Sequence, residues 1–431
     1  MKKLITSFIC YALFAGSLFA GGFQLNEHGA RAMAMGGAFT GLANDPSAVY
    51  FNPAGITQLD GLNISAGTTL ILPISSFTLP SPSTAEYEMQ PQVFDLINFY
   101  ITDKLSDKLS VGLGINNQFG LGTKWDPNWI GKYLAVETSV KSFYFTPVIA
   151  YKLFKNLSIS AGPTIAVASV KISSKVPNGV NPAGPDFLLT LNSDNTTAVG
   201  FTAGLLYKPD MKWQIGLSYR SESKFNFGGT AVSDPASFTF LHPVLKIPIT
   251  VPWPNGSISA PLTMPQCAAL GIAYTADKDW TVTFDVQYVG WASYDNLTVT
   301  FNNYNLANPL APGTSSESTP RNYQNTYIAR LGFEYKVSDL FALRFGVLYD
   351  HNPVQDQYVE PTLPDADRLG FSIGFGGKLS DHFSLDAAYM FEPFMDRTVA
   401  NSVFNFAPGV PANGTYSNQA HLFALELNYS L

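Results

Sequence analysis

The sequence predicts an all-β fold: a 14-stranded antiparallel transmembrane β-barrel over residues 61–431, with an N-terminal plug, residues 21–60, inside the lumen. Three observations predict this fold. Apolar residues recur at every second position, the connections between these segments alternate between short and long, and only 13% of the residues are charged. Soluble domains carry about 25% charged residues. A bundle of membrane helices would need runs of about 20 apolar residues, which do not occur after residue 20.

The composition excludes several classes of function. The chain has 25 basic and 32 acidic residues, a formal net charge of −7, whereas a nucleic-acid partner requires a basic surface. Two cysteines and five histidines are too few and too scattered for a disulfide framework or a metal centre. We therefore expect no cofactor, no metal ion and no nucleic-acid partner.

Residues 1–20 resemble a secretory signal peptide. Lys2 and Lys3 form a short basic start, an apolar run reaches Phe19, and small residues follow. We predict cleavage after Ala20. A membrane anchor is the alternative, but the run is short for a helix that spans a bilayer. Export of a barrel places the protein in the outer membrane of a Gram-negative-type cell.

Alternation with period two defines fourteen segments. In one of them Phe341, Leu343 and Phe345 alternate with small or polar residues, so one face of a strand is apolar and the other is not. The lengths suit membrane strands of about 9–11 residues, some extending beyond the bilayer. The segments are 62–72, 92–101, 109–119, 136–151, 157–172, 196–207, 213–227, 263–274, 280–301, 325–335, 341–351, 367–378, 383–393 and 418–431.

The connections indicate a membrane barrel rather than a soluble sandwich. Those after even-numbered segments are short and polar, whereas those after odd-numbered segments are long, up to the loop 228–262. Outer-membrane barrels combine short periplasmic turns with long extracellular loops. Aromatic residues flank the short turns, where we predict a girdle at the membrane interface. They are Tyr100, Tyr151, Tyr207, Tyr274, Tyr335, Trp213, Trp280, Phe341 and Phe383.

The face of each strand that does not meet lipid must line the lumen. The charges predicted there have mixed sign: Arg220, Asp285, Arg330, Glu334, Arg344, Asp350, Arg368, Asp386 and Glu426. A general porin uses such charges to shape a water-filled channel. Here residues 21–60 precede the first strand, are rich in Gly, Ala and Met, and do not alternate, so we predict an internal plug. Glu27, Arg31 and Asp45 are its candidates to pair with the wall; a periplasmic domain or linker is the alternative.

Three stretches of this segment resemble the plug of the FadL/TodX outer-membrane transporters. They are Gly22-Phe23-Gln24-Leu25-Asn26-Glu27, Met35-Gly36-Gly37-Ala38 and the stretch from Asn44 to Gly55, which contains the family's plug motif Asn52-Pro53-Ala54. Asn352-Pro353-Val354 and the stretch from Pro364 to Arg368 also resemble family segments. The resemblance implies a monomeric 14-stranded barrel with a plug, surrounded by outer-membrane lipid and lipopolysaccharide. It also implies uptake of long-chain fatty acids or other hydrophobic compounds, including aromatic hydrocarbons.

The long loops hold exposed apolar stretches, which usually mark a binding surface. The candidate ligand-binding residues in loops 173–195 and 228–262 are Phe187, Leu188, Leu189, Phe238, Phe240, Leu241, Val244 and Leu245. The resemblance implies a groove between these loops and a ligand pocket beside the free end, Phe23-Gln24-Leu25. It also implies a kink in the third strand, assigned to Gly114-Ile115-Asn116-Asn117, through which the solute leaves sideways. Packing of the loops against each other only is the alternative.

A carboxylate substrate needs a cation, and the candidates are Arg330, Arg344, Arg368 and Lys246. An outer-membrane lipase or protease would instead need a catalytic pair at one rim. The histidines are scattered, no Gly-x-Ser-x-Gly stretch is present, and the neighbours Asp350 and His351 indicate a polar rim. We therefore expect no enzyme. A surface adhesin or structural barrel is a further alternative, which would require neither apolar loops nor a kinked strand.

Overall fold

A computed structural model of the chain describes residues 21–178, 184, 186–241, 244–306 and 308–431. The predicted signal peptide, residues 1–20, lies outside the described residues, as does His242. Within the described ranges, no helix has the length and apolar character needed to cross a membrane.

Fourteen antiparallel strands form the closed wall of the described part of the chain, which confirms the predicted fold class and strand count. Pairing of the first strand with the last, from Asn63↔Ser430 to Thr78↔Thr415, closes the barrel, so the sheet has no free edge. The strands are β1 (Leu62–Thr78), β2 (Phe94–Lys104), β3 (Leu109–Asn116 and Gly120–Lys124), β4 (Glu137–Phe154), β5 (Leu157–Val176), β6 (Phe187–Ser193 and Thr196–Tyr207), β7 (Trp213–Arg220 and Ser223–Asp234), β8 (Gly256–Met264 and Cys267–Thr275), β9 (Trp280–Val289 and Asn296–Phe301), β10 (Ser315–Pro320 and Thr326–Ser338), β11 (Phe341–Asp350), β12 (Arg368–Lys378), β13 (Phe383–Pro393) and β14 (Gly414–Ser430).

The remaining elements are short. The N-terminal segment, which we define as residues 21–60, contains α1 (Ala30–Ala34), α2 (Ala48–Phe51) and the 3-10 helix Pro53–Gln58. The connections contain two further 3-10 helices, Trp291–Ser293 and Asp356–Tyr358, and short strands, of which Glu86–Glu88 pairs with β1 and Arg397–Val399 pairs with β14. These strands are Glu86–Glu88, Ser237–Leu241, Pro248–Pro252, Arg397–Val399, Asn405–Ala407 and Val410–Pro411.

Burial along the strands follows the alternation in the sequence. In β4, Phe143 and Ile149 are exposed on the outside, whereas Ser142, Tyr144 and Thr146 are buried on the inside. At the end with the short turns, aromatic rings pack across strands on the outside, as in Trp213–Tyr274 and Trp280–Tyr335, each with ring centroids 4.5 Å apart.

Tyr100 does not belong to this girdle, contrary to the prediction. It is fully buried, and its hydroxyl accepts a hydrogen bond from the Asn116 side chain. Its neighbours Ile97 and Phe99 in β2 occupy the opposite face, and Leu96 and Asn98 are buried. A position next to a turn therefore does not suffice to place an aromatic ring in the girdle. Successive residues of a strand point to opposite faces, so the position along the strand decides whether the ring faces lipid or the lumen.

Several strands are longer than predicted. β1 reaches Thr78 rather than 72, and much of the predicted loops 173–195 and 228–262 is strand. These extensions carry polar residues, such as Ser173 and Thr190, whose hydroxyl oxygens lie 3.1 Å apart. Apolar alternation is required only where a strand faces lipid. The prediction from alternation was therefore too short for the parts of the strands that extend above the bilayer.

The N-terminal segment packs against the inner face of the barrel on opposite sides. α1 contacts β11, β12, β13, β14 and β1, while the 3-10 helix Pro53–Gln58 contacts β3, β4, β5 and β6. Wall glycines permit this close approach. A Cβ on Gly346 would lie 2.0 Å from the Gly36 nitrogen, and one on Gly216 would lie 2.0 Å from the Thr40 carbonyl oxygen. The strands therefore supply both the wall and the space for the segment.

Candidate functional site

The motif Asn52-Pro53-Ala54 fixes the segment to the wall. The Asn52 side chain accepts a hydrogen bond from the Ala54 backbone at 3.2 Å, which caps the 3-10 helix that begins at Pro53. Its amide nitrogen donates to the carbonyl oxygens of Thr40 and of Leu205 in β6, each at 3.0 Å. A single side chain thus joins a helix start, a second part of the segment and a barrel strand.

Ion pairs hold the segment on the opposite side. Arg31 donates to both carboxylate oxygens of Glu334 in β10, each at 2.9 Å. Glu334 also accepts from Arg344 at 2.7 Å, and Arg344 donates to Asp386 at 2.6 Å. These side chains are at most 15% exposed, so the pairs are largely shielded from water.

The predicted pairing partners of the segment differ in what they contact. Arg31 reaches the wall as predicted, but Asp45 pairs with Arg31 at 3.2 Å and not with a wall charge. Glu27 is buried, and its side chain accepts from the backbone of Asn26, while its carbonyl oxygen accepts from Thr69 in β1. The short side chain of aspartate keeps Asp45 within the turn before α2, where it also accepts from Ser47.

Two of the four cations predicted for a carboxylate ligand are paired with carboxylates, Arg344 as described and Arg368 with Asp350 at 2.5 Å. Arg330 donates to the neutral amide of Gln287 at 2.9 Å, and its Nε atom is buried without a hydrogen-bond partner. Lys246 is exposed in the connection that follows Leu241. The alternation placed the arginines on the inner face, but it carries no information on which carboxylates face them.

The first residues of the segment, Gly21 to Leu25, which we call the leading stretch, pair with β3. Leu25 donates its backbone N–H to the Gln118 carbonyl oxygen at 2.9 Å, and Gly120 donates to the Phe23 carbonyl oxygen at 3.0 Å. Gln24 and Phe119 form an antiparallel bridge. The leading stretch therefore occupies a position next to β3 that a neighbouring strand would normally take.

That position is open because β2 and β3 separate. Their register ends at Asn98↔Asn116, and among the described wall strands only β4 pairs with the second part of β3. Between the two parts, Asn117 to Phe119 leave the ladder, and the Asn117 side chain accepts from Ile97 at 2.8 Å and donates to the Ser142 carbonyl oxygen at 2.7 Å.

The predicted kink at Gly114-Ile115-Asn116-Asn117 was therefore placed too early, because the first three of these residues pair regularly with both neighbouring strands. A Cβ on Gly114 would lie 2.9 Å from Val49 of the N-terminal segment. Glycine at this position thus serves a close approach rather than a bend.

The side chains of the leading stretch lie at this gap and in the lumen beside it. The Phe23 ring is 5% exposed and packs against Trp291, Tyr294 and Phe119, with centroids 4.7, 5.8 and 6.2 Å away. Leu25 is half-buried, and a Cβ on Gly120 would lie 2.8 Å from its Cδ1 atom.

The backbone of Gly22 donates to Asp365 in the connection before β12 at 2.6 Å. Burial raises the pKa of the Asp365 carboxyl to about 6, although the Gly22 N–H opposes this shift. The leading stretch therefore closes the gap from inside with an aromatic ring, an aliphatic side chain and few polar contacts.

Two small apolar cavities continue from Phe23 toward the loops. One, of ≈ 50 Å³, is bordered by Phe23 and Tyr294; the second, also of ≈ 50 Å³, is bordered by Leu191 and Ile258. They share the lining residues Val170, Ile172, Leu262 and Leu297. A larger cavity of ≈ 590 Å³ lies among the loops near Asn352, but aspartates, amides and Arg397 make it too polar for an apolar solute.

The predicted loop residues lie above these cavities, but their structure differs from the prediction. Phe187 is 2% exposed in β6 and stacks on Trp253 at 4.4 Å, so it is not a loop residue. Leu188 and Leu189 follow it in β6.

Phe238 and Phe240 lie in the hairpin 237–252, in which Ser237–Leu241 pairs with Pro248–Pro252, and they pack against the Phe187 and Trp253 cluster. Leu241, Val244 and Leu245 are 59%, 79% and 61% exposed at the tip of this hairpin. Trp253 and Trp291, which complete these clusters, were not among the predicted residues because each follows a break in the alternation.

Comparisons with known proteins agree with this architecture. The sequence model of the family described as outer membrane protein transport protein (OMPP1/FadL/TodX) matches residues 11–431. The long-chain fatty acid transport protein of Escherichia coli O157:H7 is 24% identical over 453 residues, covering 98% of this chain and 97% of that protein. Outer membrane protein P1 of Haemophilus influenzae (strain ATCC 51907 / DSM 11121 / KW20 / Rd) is 23% identical over 484 residues, covering 100% of both.

Solved structures share the fold. A Pseudomonas aeruginosa FadL homologue has a TM-score of 0.76 at 23% identity and covers 96% of this chain and 100% of its own. The Pseudomonas putida toluene transporter TodX has a TM-score of 0.70 at 16% identity, with 94% and 99% covered.

The match to the family model extends over nearly the whole chain, as do the relatives and the shared fold. These findings confirm the predicted resemblance and the outer-membrane location, and they identify a transporter of hydrophobic compounds rather than an enzyme. The chain belongs to the OMPP1/FadL/TodX family of outer-membrane transport proteins.

Proposed function

We propose that the protein takes up long-chain fatty acids and releases them sideways into the outer membrane between β2 and β3. The solute enters at the apolar hairpin 237–252, passes the cavities lined by Val170 and Leu262, and leaves where the leading stretch now pairs with β3. The observation that carries this proposal is the bridge Gln24↔Phe119 beside the end of the β2–β3 register. A removable stretch of chain fills a gap in the wall.

The proposal divides the chain into a signal peptide, residues 1–20, a plug, residues 21–60, and the barrel, residues 61–431. Most of the plug stays in place, because polar contacts hold it to strands on several sides of the barrel. The leading stretch is the part that moves. Its displacement is required because each apolar cavity of ≈ 50 Å³ is far smaller than the about 300 Å³ of a typical ligand pocket.

Burial of an acyl chain supplies the driving force for this displacement. Each CH₂ group removed from water contributes about 0.8 kcal/mol, so a chain of more than ten carbons outweighs the few contacts of the leading stretch. A short aromatic solute buries less apolar surface and therefore contributes less free energy to the displacement. The names of the E. coli and Salmonella typhi relatives also support a fatty acid. Uptake of aromatic hydrocarbons is the alternative, supported by the fold shared with a toluene transporter.

The outer surface beside the gap supports contact with lipopolysaccharide. Lys124 on β3 and Lys141 on β4 are exposed, and Lys171 on β5 is partly exposed. Lys124 lies opposite Glu137, which pairs with Lys171 at 2.8 Å, and Lys141 lies four residues farther along β4 on the same face. On β4 the apolar lipid-facing row begins directly below, at Phe143. Basic side chains just above the apolar band suit the phosphate groups of the outer leaflet. We propose that the barrel binds these lipids as a monomer.

The test of transport uses cells that lack their own fatty-acid uptake and express this protein. We expect uptake of labelled oleate above that of cells with the empty vector, and slower uptake of toluene. A cysteine pair that links the leading stretch to β3, at Gln24 and Phe119, should abolish oleate uptake until it is reduced. Uptake that continues in the oxidised protein would exclude exit through this gap. Toluene uptake without oleate uptake would favour the alternative.

The plug assignment is tested separately by limited proteolysis of the folded barrel. Residues 30–58 should resist cleavage, whereas rapid cleavage there would favour a periplasmic segment.

A further inference from the structure

We infer that Arg220 is the group that binds the carboxylate of the fatty acid. This inference rests on the proposed function and adds a specificity-determining residue to it. Arg220 ends the first part of β7, where the strand is interrupted, and it lies opposite Thr202 in β6 and Cys267 in β8. Its side chain points into the lumen beside the leading stretch. Arg220 was not among the residues predicted from the sequence to bind a carboxylate.

The guanidinium of Arg220 lacks an ion-pair partner. In the part of the chain that the structure describes, no carboxylate lies within 4.0 Å of it, and its Nη1 atom is enclosed without a hydrogen-bond acceptor. Arg31, Arg344 and Arg368 all have carboxylate partners in the lumen. Burying a cation is costly unless an acceptor compensates it. A bound carboxylate would provide the missing acceptor.

The surroundings hold the guanidinium in position without neutralising it. It stacks on the ring of Tyr50 in α2, with the Cζ atom 4.1 Å from the ring centroid. Such stacking is favourable for arginine and leaves the edge of the guanidinium free to donate. Tyr50 itself donates to the Leu25 carbonyl oxygen at 3.1 Å. The arginine is thus coupled through one ring to the leading stretch.

A small polar cavity connects this cation to the proposed exit. It has a volume of ≈ 10 Å³ and is bordered by Arg220, Gln24, Gln118, Phe119 and Cys267, with Tyr144, Thr164, Ser221, Ser223 and Pro265. Gln118 and Phe119 belong to the break in β3. Phe119 borders this cavity, Phe23 borders one of the apolar cavities, and the two rings pack against each other with centroids 6.2 Å apart. Movement of the leading stretch would therefore join the cavities.

The joined cavity would be polar at one end and apolar along its length, as an amphipathic fatty acid requires. The carboxylate would accept two hydrogen bonds from the guanidinium, a geometry that arginine favours. The acyl chain would extend toward Val170 and Leu262. A hydrocarbon without a head group would gain nothing from the cation, so Arg220 would select fatty acids over aromatic hydrocarbons.

The experiment compares two ligands that differ only in charge, oleate and methyl oleate, by native mass spectrometry of the purified full barrel. The variants are Arg220→Met, which keeps the length but removes the charge, and Arg220→Lys, which restores a charge without the planar fork. Lys224→Met is the matched control, because it removes a cation from the same strand on the exposed outer face. Resistance of each barrel to unfolding in detergent on an electrophoresis gel shows that it is folded.

We expect Arg220→Met to lower the preference for oleate over methyl oleate about tenfold, because hydrogen bonds to charged groups contribute that much. Arg220→Lys should recover part of the preference, and Lys224→Met should keep all of it. An equal loss of affinity for oleate and for methyl oleate would overturn the inference. Arg220 would then only hold the Tyr50 ring in position. Equal binding of both ligands by the wild type would also overturn it, while oleate uptake would still support the proposed function. A wild type that binds and transports neither would refute both.

Discussion

The leading stretch and the rest of the N-terminal segment are held by different forces. Residues 30–58, the anchored stretch, make ion pairs and side-chain hydrogen bonds with strands on several sides, such as Arg31 with Glu334 and Thr40 with Asp285 at 2.7 Å. The leading stretch makes backbone bonds to one broken strand, one bond from Gly22 to Asp365, and aromatic contacts through Phe23.

This difference supports the proposed function, in which the leading stretch moves and the rest of the segment stays in place. Buried ion pairs are expensive to break, because each leaves an unpaired charge in a water-poor interior. Aromatic and aliphatic contacts are exchanged at low cost for similar contacts with an apolar ligand. Under the proposed function, the anchored stretch is thus suited to remain in place and the leading stretch to be replaced by the solute.

The largest effect is expected from breaking the anchor. Glu334→Gln removes the carboxylate that compensates both Arg31 and Arg344, and it should lower the free energy of unfolding by about 3 kcal/mol. Denaturant unfolding of the barrel in lipid, followed by tryptophan fluorescence, measures the loss. Glu317→Gln is the control, because Glu317 is exposed and belongs to β10 as well. Equal stability of both variants would show that the ion pairs do not hold the segment.

The second effect concerns the gap. Gly120→Leu places a side chain where Leu25 now lies, so it should fill the space between β2 and β3 and reduce oleate uptake to that of cells without the protein. Gly377→Leu in β12 is the control, because a Cβ there has only the Leu340 carbonyl oxygen, at 3.9 Å, within reach. Faster uptake through Gly120→Leu would mean that the leucine displaces the leading stretch instead of replacing it.

Gly114→Leu distinguishes the observed break from the predicted kink. Its side chain would meet Val49 and Tyr100 rather than the gap, at 2.9 and 3.1 Å from the Cβ. We expect it to lower barrel stability and to affect uptake only through that loss. A stable Gly114→Leu barrel without uptake would restore the predicted kink as the exit.

The fold was accessible from the sequence because a membrane wall imposes a repeating requirement. Phe345 and Val347 are exposed on the outer face, and neither the loops nor the N-terminal segment changes what the lipid requires there. The lengths of the strands above the bilayer could not be predicted from the sequence, since residues such as Ser173 and Thr190 pair there without an alternating apolar pattern.

The sequence predicted site residues only where a motif has a local structural role, as Asn52 has in capping a helix. Contacts between distant strands could not be predicted in this way. Glycine predicted a bend at Gly114, but the break follows from Asn117, whose side chain replaces a backbone partner for Ile97. Arg220 looked like any other inward charge, because a missing counter-charge is visible only when all strands are assembled.

The next prediction compares the leading stretch with the anchored stretch directly. Phe23→Ala removes the ring that packs on Trp291, and it should strengthen oleate binding about tenfold, because the lost aromatic pair is a contact that the ligand must otherwise displace. Hydrogen exchange should increase at residues 21–25 and remain slow at residues 30–58. Phe51→Ala is the matched control in the anchored stretch, where the ring packs on Phe39 at 5.4 Å. It should reduce stability without loosening the leading stretch; if both variants loosen the same residues, the two stretches form one unit.

The smallest effect is expected at the entrance, because capture precedes the step that the leading stretch controls. Leu241→Asp places a charge at the tip of the hairpin 237–252, where the leucine is 59% exposed and makes a modest contribution to binding. Oleate uptake should fall at low concentration and recover at high concentration, since mass action compensates for weaker capture. Leu310→Asp is the control, because that leucine is 61% exposed in a different loop. Phe187→Asp is less informative, since it would break the stack with Trp253 and disturb the barrel end itself. An equal deficit for Leu241→Asp and Leu310→Asp would mean that charge at the loops, rather than this hairpin, limits entry.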